Sequence, residues 1–451
     1  MPGPKLFNLE PLEHRQLLAG VTILMHGHQG SINGWVTAAA DAIASRIGSS
    51  QTSQFVMKVA KSGGKLAVTS FVQSKGPAMS KSSTGEAIIK LDWTAVDDGS
   101  YSTDEVGNVV SGFLMRPNSL TPPLVELPLH LIGHSRGASL AVAISEDLGK
   151  AGIWVDQETF LDPHPVEDYF GLPVGYGDVP MKVYNNVIFA DNYWRDDGNL
   201  FNIDPDGQHV SGAHEGDLNN IVQKHFVISA HMAVTSYYHG TIDLKASNNR
   251  DHPIFSDWYG TTESKPARSE TGYVFSRLGG GSRPVDGLIG AFGGTGSRSD
   301  VGKNGDQWAN GANLRFVGGT RFPVGEKLKL RFIRQNRDQP VNVTIGMDRD
   351  SNPYNTNAVR TMRRAVLEES DKMALTGLSA FTGGVDPGRY FIYAQFTDAL
   401  GRTRYTYSRR ITLTAPSATV PLAAGGVVTK TNRFSSTAQP IAALSVADQI
   451  L

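Results

Sequence analysis

No cysteine occurs anywhere in the chain. Disulfides, thiolate metal sites and a cysteine nucleophile are excluded, although the absence names no compartment. An excess of either charge is also missing: 42 Lys and Arg against 43 Asp and Glu leave a formal net charge of −1. With no long like-charged block, the broad electrostatic footprint of a nucleic-acid or anionic-lipid binder is missing, so no nucleic-acid partner is expected. No stretch nears the ~18 consecutive apolar residues of a membrane span, so no integral membrane segment is expected. The run LLAGVTILM (17–25) has the length of a signal-peptide core, but acidic residues precede it and no small-residue cleavage site follows. It reads better as a core β-strand leading into HGHQG.

What is present fits a soluble globular chain. Its 451 residues suggest two or three domains at ~100–200 residues each. Strand-like and helix-like stretches alternate in the first half, which predicts an α/β domain over 21–262 with a mostly parallel sheet and flanking helices. VTILMHG (21–27) reads as a strand, GWVTAAADAIASRIG (34–48) as a helix, and 54–73 as a hairpin turning at Ser62-Gly63-Gly64. EAIIKLDW (86–93), LPLHLIG (127–133), a segment ending TFLDPHP (159–165) and VYNNVIFADNYW (183–194) read as further strands, and HMAVTSYYHGTI (231–242) as a helix. A Gly-rich linker is expected over 263–282. Residues 283–415 carry alternating strand patterns such as RYFIYAQF and predict an all-β, sandwich-like module. The tail 416–451, without clear periodicity, is expected to hold little fixed structure.

The chemistry centres on LHLIGHSRGASL (129–140). Gly133-His134-Ser135-Arg136-Gly137 fits G-x-S-x-G, with a strand before it and a helix of small residues after it. A nucleophile elbow needs that junction, because the glycines leave room for the strained turn that lifts the serine hydroxyl. Ser135 is therefore the candidate nucleophile. A serine needs a base, and the base an orienting acid. His231 is the candidate base, with His225 its main rival; His164, His209, His214 and His239 compete less well. Two strand-terminal aspartates qualify as acid, Asp162 in TFLDPHP and Asp191 in VIFADNYW, and topology alone favours Asp191.

Taken together, GHSRG, LDPHP and HMAVTSYYHGTI resemble the pancreatic-type lipase pattern of the α/β-hydrolase superfamily. The resemblance implies a Ser135–Asp162–His231 triad, with Asp191 kept as the alternative acid. It also implies that HGHQGS (26–31) is an oxyanion loop, with backbone donors at His28 and Arg136 and Gln29 as a near alternative. The implied activity is a serine carboxylic-ester hydrolase acting on an ester or lipid, without metal or other cofactor. The match covers only the first half of the chain, lacks the family's disulfides, and puts Arg136 where many lipases have Met, Leu or Gln. Only about 20 residues precede Val21, so the 54–73 hairpin is expected to supply the sheet edge by pairing with 86–93. The segment LFNLEPLEHRQLLAG (6–20) is similar to the N-terminal Leu-Glu-Pro-Arg sorting motif of exported planctomycete proteins, with His14 in place of proline. It implies an extracellular or cell-envelope location.

Other readings remain open at this level. His26-x-His28 is the spacing of a metal pair in barrel hydrolases, which His164 and Asp191 would complete. A non-catalytic surface or adhesion protein on a hydrolase scaffold is a third reading, with cell-surface or carbohydrate contact through the β module. Asp348, Asp350 and Asn352 alternate like a short calcium loop but lack the EF-hand glycine and glutamate, so an Asx turn is favoured. The aromatics of RYFIYAQF and RYTYS could stack on sugars, but strand spacing favours core and cross-strand pairs.

Overall fold

The computed structural model describes residues 20–79, 86–166, 175–196, 206–222, 225, 229–248, 253–283, 296–303, 307–309, 311–334, 338–355, 357–370 and 374–416. The sorting-like segment before Gly20 and the tail after Pro416 lie outside the described residues. Residues through Ala415 form one compact unit.

Apolar β-branched runs build a first sheet. Its strands are β1 (Val21–Met25), β2 (Thr52–Ser62), β3 (Lys65–Lys75), β4 (Glu86–Asp92), β5 (Leu129–His134), β6 (Val155–Leu161), β7 (Val187–Trp194) and β8 (His214–Asp217). They lie in the order β3-β2-β4-β1-β5-β6-β7-β8. The central strands β1, β4 and β5 are buried along nearly their whole length, as parallel strands covered on both faces must be. Side chains alternate across the sheet: Val21, Ile23 and Met25 enter one core, and Leu24 enters the other. The hairpin β2–β3 is antiparallel, and β2 pairs parallel with β4 from Thr52↔Glu86 to Lys58↔Asp92. The hairpin therefore forms one edge of the sheet, with β2 inside and β3 outermost.

Four α-helices accompany this sheet: α1 (Trp35–Ile47), α2 (Thr103–Leu114), α3 (Arg136–Lys150) and α4 (Ala230–Ile242). Val36, Ala39, Ala40, Ile43, Ala44 and Ile47 recur at helical spacing and form the buried face of α1. A capping box starts α2, where Ser102 accepts from the Glu105 N–H and the Glu105 carboxylate accepts from the Ser102 N–H.

The expected α/β-hydrolase architecture, a mostly parallel sheet flanked by helices, is corrected here. The described residues are 36% strand and 20% helix, with seventeen strands against four α-helices. The first sheet is mixed, and its connections β6→β7 and β7→β8 carry no α-helix among the described residues. The stretch between β6 and β7 is rich in helix-breaking residues. Pro163, Pro165, Pro173 and Pro180 with Gly171, Gly175 and Gly177 crowd the stretch where a crossover helix would run.

Nine further strands follow: β9 (Gly311–Phe316), β10 (Arg321–Pro323), β11 (Lys327–Arg334), β12 (Val341–Asp348), β13 (Arg360–Leu367), β14 (Ala374–Phe381), β15 (Gly388–Thr397), β16 (Thr403–Tyr407) and β17 (Ile411–Thr414). They form a six-stranded and a three-stranded sheet. Between them lie Leu314, Leu330, Phe332, Val343, Ile345, Ile392 and Phe396, a sandwich-like core. The stretch 263–282, read as a linker, is packed instead: Tyr273 and Leu278 are fully buried, and the Gly272 N–H donates to the Tyr193 hydroxyl at 2.7 Å.

Candidate active site

Ser135 stands between the end of β5 and the start of α3 with φ 56° and ψ −127°. A non-glycine residue at positive φ is uncommon, and here three glycines make room for it. A Cβ on Gly133 would lie 2.2 Å from the Gly137 carbonyl oxygen, and one on Gly137 would lie 2.5 Å from that of His26. A Cβ on Gly27 would meet the Ser135 Cβ at 2.6 Å, so the loop after β1 lies directly against the serine. The Ser135 N–H donates to the Leu161 carbonyl at 3.0 Å, and the Ser135 carbonyl accepts from the His164 N–H at 3.3 Å. These bonds couple the elbow to the end of β6.

Asp162 follows β6 directly, at φ 45° and fully buried. His231 sits in the first turn of α4, whose N-cap Ser229 accepts from the Met232 N–H. The two meet: His231 Nδ1 lies 2.6 Å from Asp162 Oδ2. The other carboxylate oxygen accepts from the Arg195 N–H at 3.0 Å, and the buried Arg195 guanidinium brings Nε to 3.5 Å from Oδ2. A carboxylate removed from water needs such donors to stay ionised. The His231 ring lies 4.4 Å from that of His134, the residue before Ser135, and His134 Nε2 donates to the His231 carbonyl at 3.2 Å. Ser135, His231 and Asp162 thus share one locality.

The remaining candidates fall elsewhere. Asp191 points into the sheet interior, accepting from the Thr159 hydroxyl at 2.6 Å and the Gln157 amide at 3.0 Å. Burial pushes its carboxyl up to about 6. His225 stacks on Phe255 at 3.7 Å and meets Asp257 at 2.6 Å. His164 donates to the Asp206 carbonyl, with its ring 6.4 Å from that of His231. His209 faces Glu215 at 3.7 Å, His214 packs on Phe275, and His239 sits in the last turn of α4.

In the loop after β1, Gln29 takes φ 49° and the Gly30 N–H closes back on the Gly27 carbonyl. His26 stacks on Trp93 at 5.6 Å and donates from Nδ1 to the Gly27 carbonyl at 2.9 Å. His28 donates from Nδ1 to the Asp97 carbonyl at 2.8 Å. The two imidazoles thus use their Nδ1 atoms on different backbone acceptors. Among the described residues no group of three or more His, Cys, Asp or Glu side chains is placed to hold a metal. His26 Nδ1 lies 3.6 Å from Asp97 Oδ2, yet burial moves both groups toward neutrality: His26 is held below its usual value and Asp97 is raised to about 6. The contact is therefore one of a neutral imidazole with a carboxylate, not a salt bridge.

Sequence reasoning missed two residues, Asp97 and Asp178. The Arg136 side chain, standing where many lipases have Met, Leu or Gln, turns inward and pairs with Asp178, both side chains fully buried. No motif marks either aspartate. Only an arginine at the elbow, where a small or apolar residue would suffice, signals that a buried counter-charge is needed.

In the β module, Asp350 accepts from the Asn352 N–H and from the Asn355 and Asn357 amides, an Asx-turn arrangement. Phe391 and Phe396 are buried, while Tyr393 packs beside Tyr405 and Tyr407 at 6.5 and 6.0 Å between ring centroids.

No protein-family model matches the chain, and no curated protein does. Among solved structures, an AA10 lytic polysaccharide monooxygenase from Streptomyces lividans aligns at 18% identity with a TM-score of 0.16. The alignment covers 22% of this chain and 60% of that one, and a likeness this low carries no argument. No helix among the described residues is long and apolar enough to cross a membrane.

Proposed function

We propose that the protein is a serine carboxylic-ester hydrolase. The observation that carries the reading is the buried 2.6 Å contact of His231 with Asp162 beside a serine held at φ 56° on a strand-to-helix turn. A strained serine, a histidine with one ring nitrogen committed to a buried carboxylate, and free backbone donors at a helix start are the parts acyl transfer needs. The likeness of GHSRG, LDPHP and HMAVTSYY to pancreatic-type lipases supports the same reading.

In this proposal His231 Nε2 takes the Ser135 proton as Oγ attacks the ester carbonyl. The carbonyl electrons move to the oxygen, where the N–H groups of His28 and Arg136 stabilise the charge. The Arg136 N–H suits that role because the first amides of a helix have no intrahelical acceptor. Collapse of the intermediate breaks the C–O bond, and the imidazolium passes its proton to the leaving alcohol. Water, deprotonated by His231, then attacks the acyl-serine and releases the acid. Asp162 keeps the proton on Nδ1 and balances the imidazolium charge. The half-exposed Met232 beside His231 and the Trp35 ring edge-on to His134 at 5.9 Å offer apolar surface suited to an acyl chain or lipid. Export to the cell envelope belongs to the same proposal and rests on residues 6–20.

The test is turnover of short-chain p-nitrophenyl esters together with labelling by an alkyl fluorophosphonate, in the wild type and in Ser135→Ala. Turnover and labelling that both vanish in the variant are expected. Full activity in Ser135→Ala that a chelator abolishes would overturn the reading in favour of a metal hydrolase.

A further inference from the structure

We infer that the Arg136 side chain is a positioning residue that locks the two halves of the oxyanion hole to each other and to the loop bearing the catalytic acid. The inference rests on the hydrolase reading above. Arg136 has two separate parts. Its N–H opens α3 beside Ser135, while its guanidinium runs into the interior, fully buried with the Asp178 carboxylate.

Every arm of the guanidinium is used. Nε lies 2.8 and 3.0 Å from the two Asp178 oxygens, and Nη2 lies 2.7 Å from Oδ1. Nη1 donates to the Asp97 carbonyl at 2.9 Å, and Nη2 donates to the Tyr101 carbonyl at 2.7 Å. The rings of Trp93 and Tyr176 lie 5.1 Å away, within cation–π range.

These partners decide what the pair does. The Asp97 carbonyl that accepts from Arg136 also accepts from His28 Nδ1 at 2.8 Å, and the Asp97 carboxylate accepts from the Gly30 N–H at 3.1 Å. One carbonyl thus joins the elbow residue to the loop that carries the other oxyanion donor. Trp93, under the guanidinium, donates from Nε1 to the His26 carbonyl at 3.0 Å in the same loop. On the other side, Asp178 accepts from the Val166 N–H at 2.9 Å, in the segment that follows Asp162. It also lies 3.3 Å from the Thr103 N–H at the start of α2. The oxyanion loop, the elbow and the acid loop all meet at this single pair.

Stability alone is a poor reason for such a pair. Desolvating two charges costs several kcal/mol, and apolar residues of similar volume often serve the fold as well. What an apolar pair lacks is direction. An Arg fork fixes several acceptors at set angles, and a donor aimed at a developing oxyanion is effective only within tenths of an ångström.

The test compares wild type, Asp178→Asn and the double variant Arg136→Met/Asp178→Leu on p-nitrophenyl butyrate, with melting temperature measured alongside. Asp178→Asn keeps the shape and part of the hydrogen bonding, so a folded variant is available even where the double replacement does not fold. Expected for folded variants is a kcat lower by ~10–100-fold, with KM within about 3-fold, because loss of one oxyanion donor costs ~10²–10³. Fluorophosphonate labelling of Ser135 is expected to slow in proportion. A folded variant with kcat within about 2-fold of an active wild type overturns this inference and leaves the hydrolase reading standing. A wild type that neither turns over the ester nor labels overturns both.

Discussion

At Ser135 the backbone is held at φ 56°, a conformation that L-residues adopt at a cost of order 1–3 kcal/mol. Asp162, at φ 45°, carries the same kind of strain, and the two are tied through the β6 terminus. The choice of acid is a residue-scale question that the sequence left open. Both aspartates were expected at strand ends, but only Asp162 follows one; Asp191 lies inside β7, four residues from its start, with its side chain held by Thr159 and Gln157. Asp162→Asn is expected to lower kcat on the order of 10⁴-fold, because the amide favours the wrong imidazole tautomer. Asp191→Asn is expected to leave kcat within a few-fold. Gln157 and Thr159 both donate to Asp191 Oδ1, an acceptor that an asparagine keeps. Steady-state ester kinetics on both variants check this, and the reverse order would contradict it.

Elements show which parts of the fold were legible. GWVTAAADAIASRIG announced α1 because small and apolar residues recur at helical spacing, and LPLHLIG announced β5 because an apolar run ends at glycine. The mixed character of the sheet was not legible, since alternating strand-like and helix-like stretches predicted a mostly parallel sheet flanked by helices, whereas no α-helix joins β6 to β7 or β7 to β8 among the described residues. Within 403–414, β16 and β17 are separate strands, and the Ser408 hydroxyl between them accepts from the Ile392 N–H. Element packing also makes a prediction. Because α3 approaches β1 so closely that a Gly137 Cβ would sit 2.5 Å from the His26 carbonyl, Gly137→Ala must push the oxyanion loop away. A stability loss of about 1–3 kcal/mol is expected, with kcat falling together with melting temperature. An alanine variant with wild-type melting and turnover would contradict that packing.

Within the compact unit, the β module meets the first sheet at the end away from Ser135. Tyr354 donates to Glu126 just before β5, and Arg404 donates to the Trp154 carbonyl just before β6. Gln307 and Trp308 bond the Lys150 and Ala151 carbonyls at the end of α3. Ser135 and Asp162 instead follow the far ends of those strands. Burial raises the Glu126 carboxyl from 4.5 to about 7, even with Tyr354 and Arg404 beside it. A folded value above the unfolded one means that the folded chain holds the proton more tightly. Stability from this group is then present at low pH and lost as pH rises from about 4.5 through 7. Glu126→Gln removes that dependence, so its melting temperature is expected to fall less than the wild type's between pH 5 and pH 8. Parallel melting curves across that range would contradict it.

The account's central claim is that Ser135 is a nucleophile activated by His231 and Asp162. Its most direct measurement is the mass of the intact protein after incubation with an alkyl fluorophosphonate, followed by peptide mapping. The account predicts one adduct per chain, located on Ser135, abolished in Ser135→Ala and strongly slowed in His231→Ala. Absence of an adduct, or an adduct on another residue with ester turnover unchanged in Ser135→Ala, would contradict it.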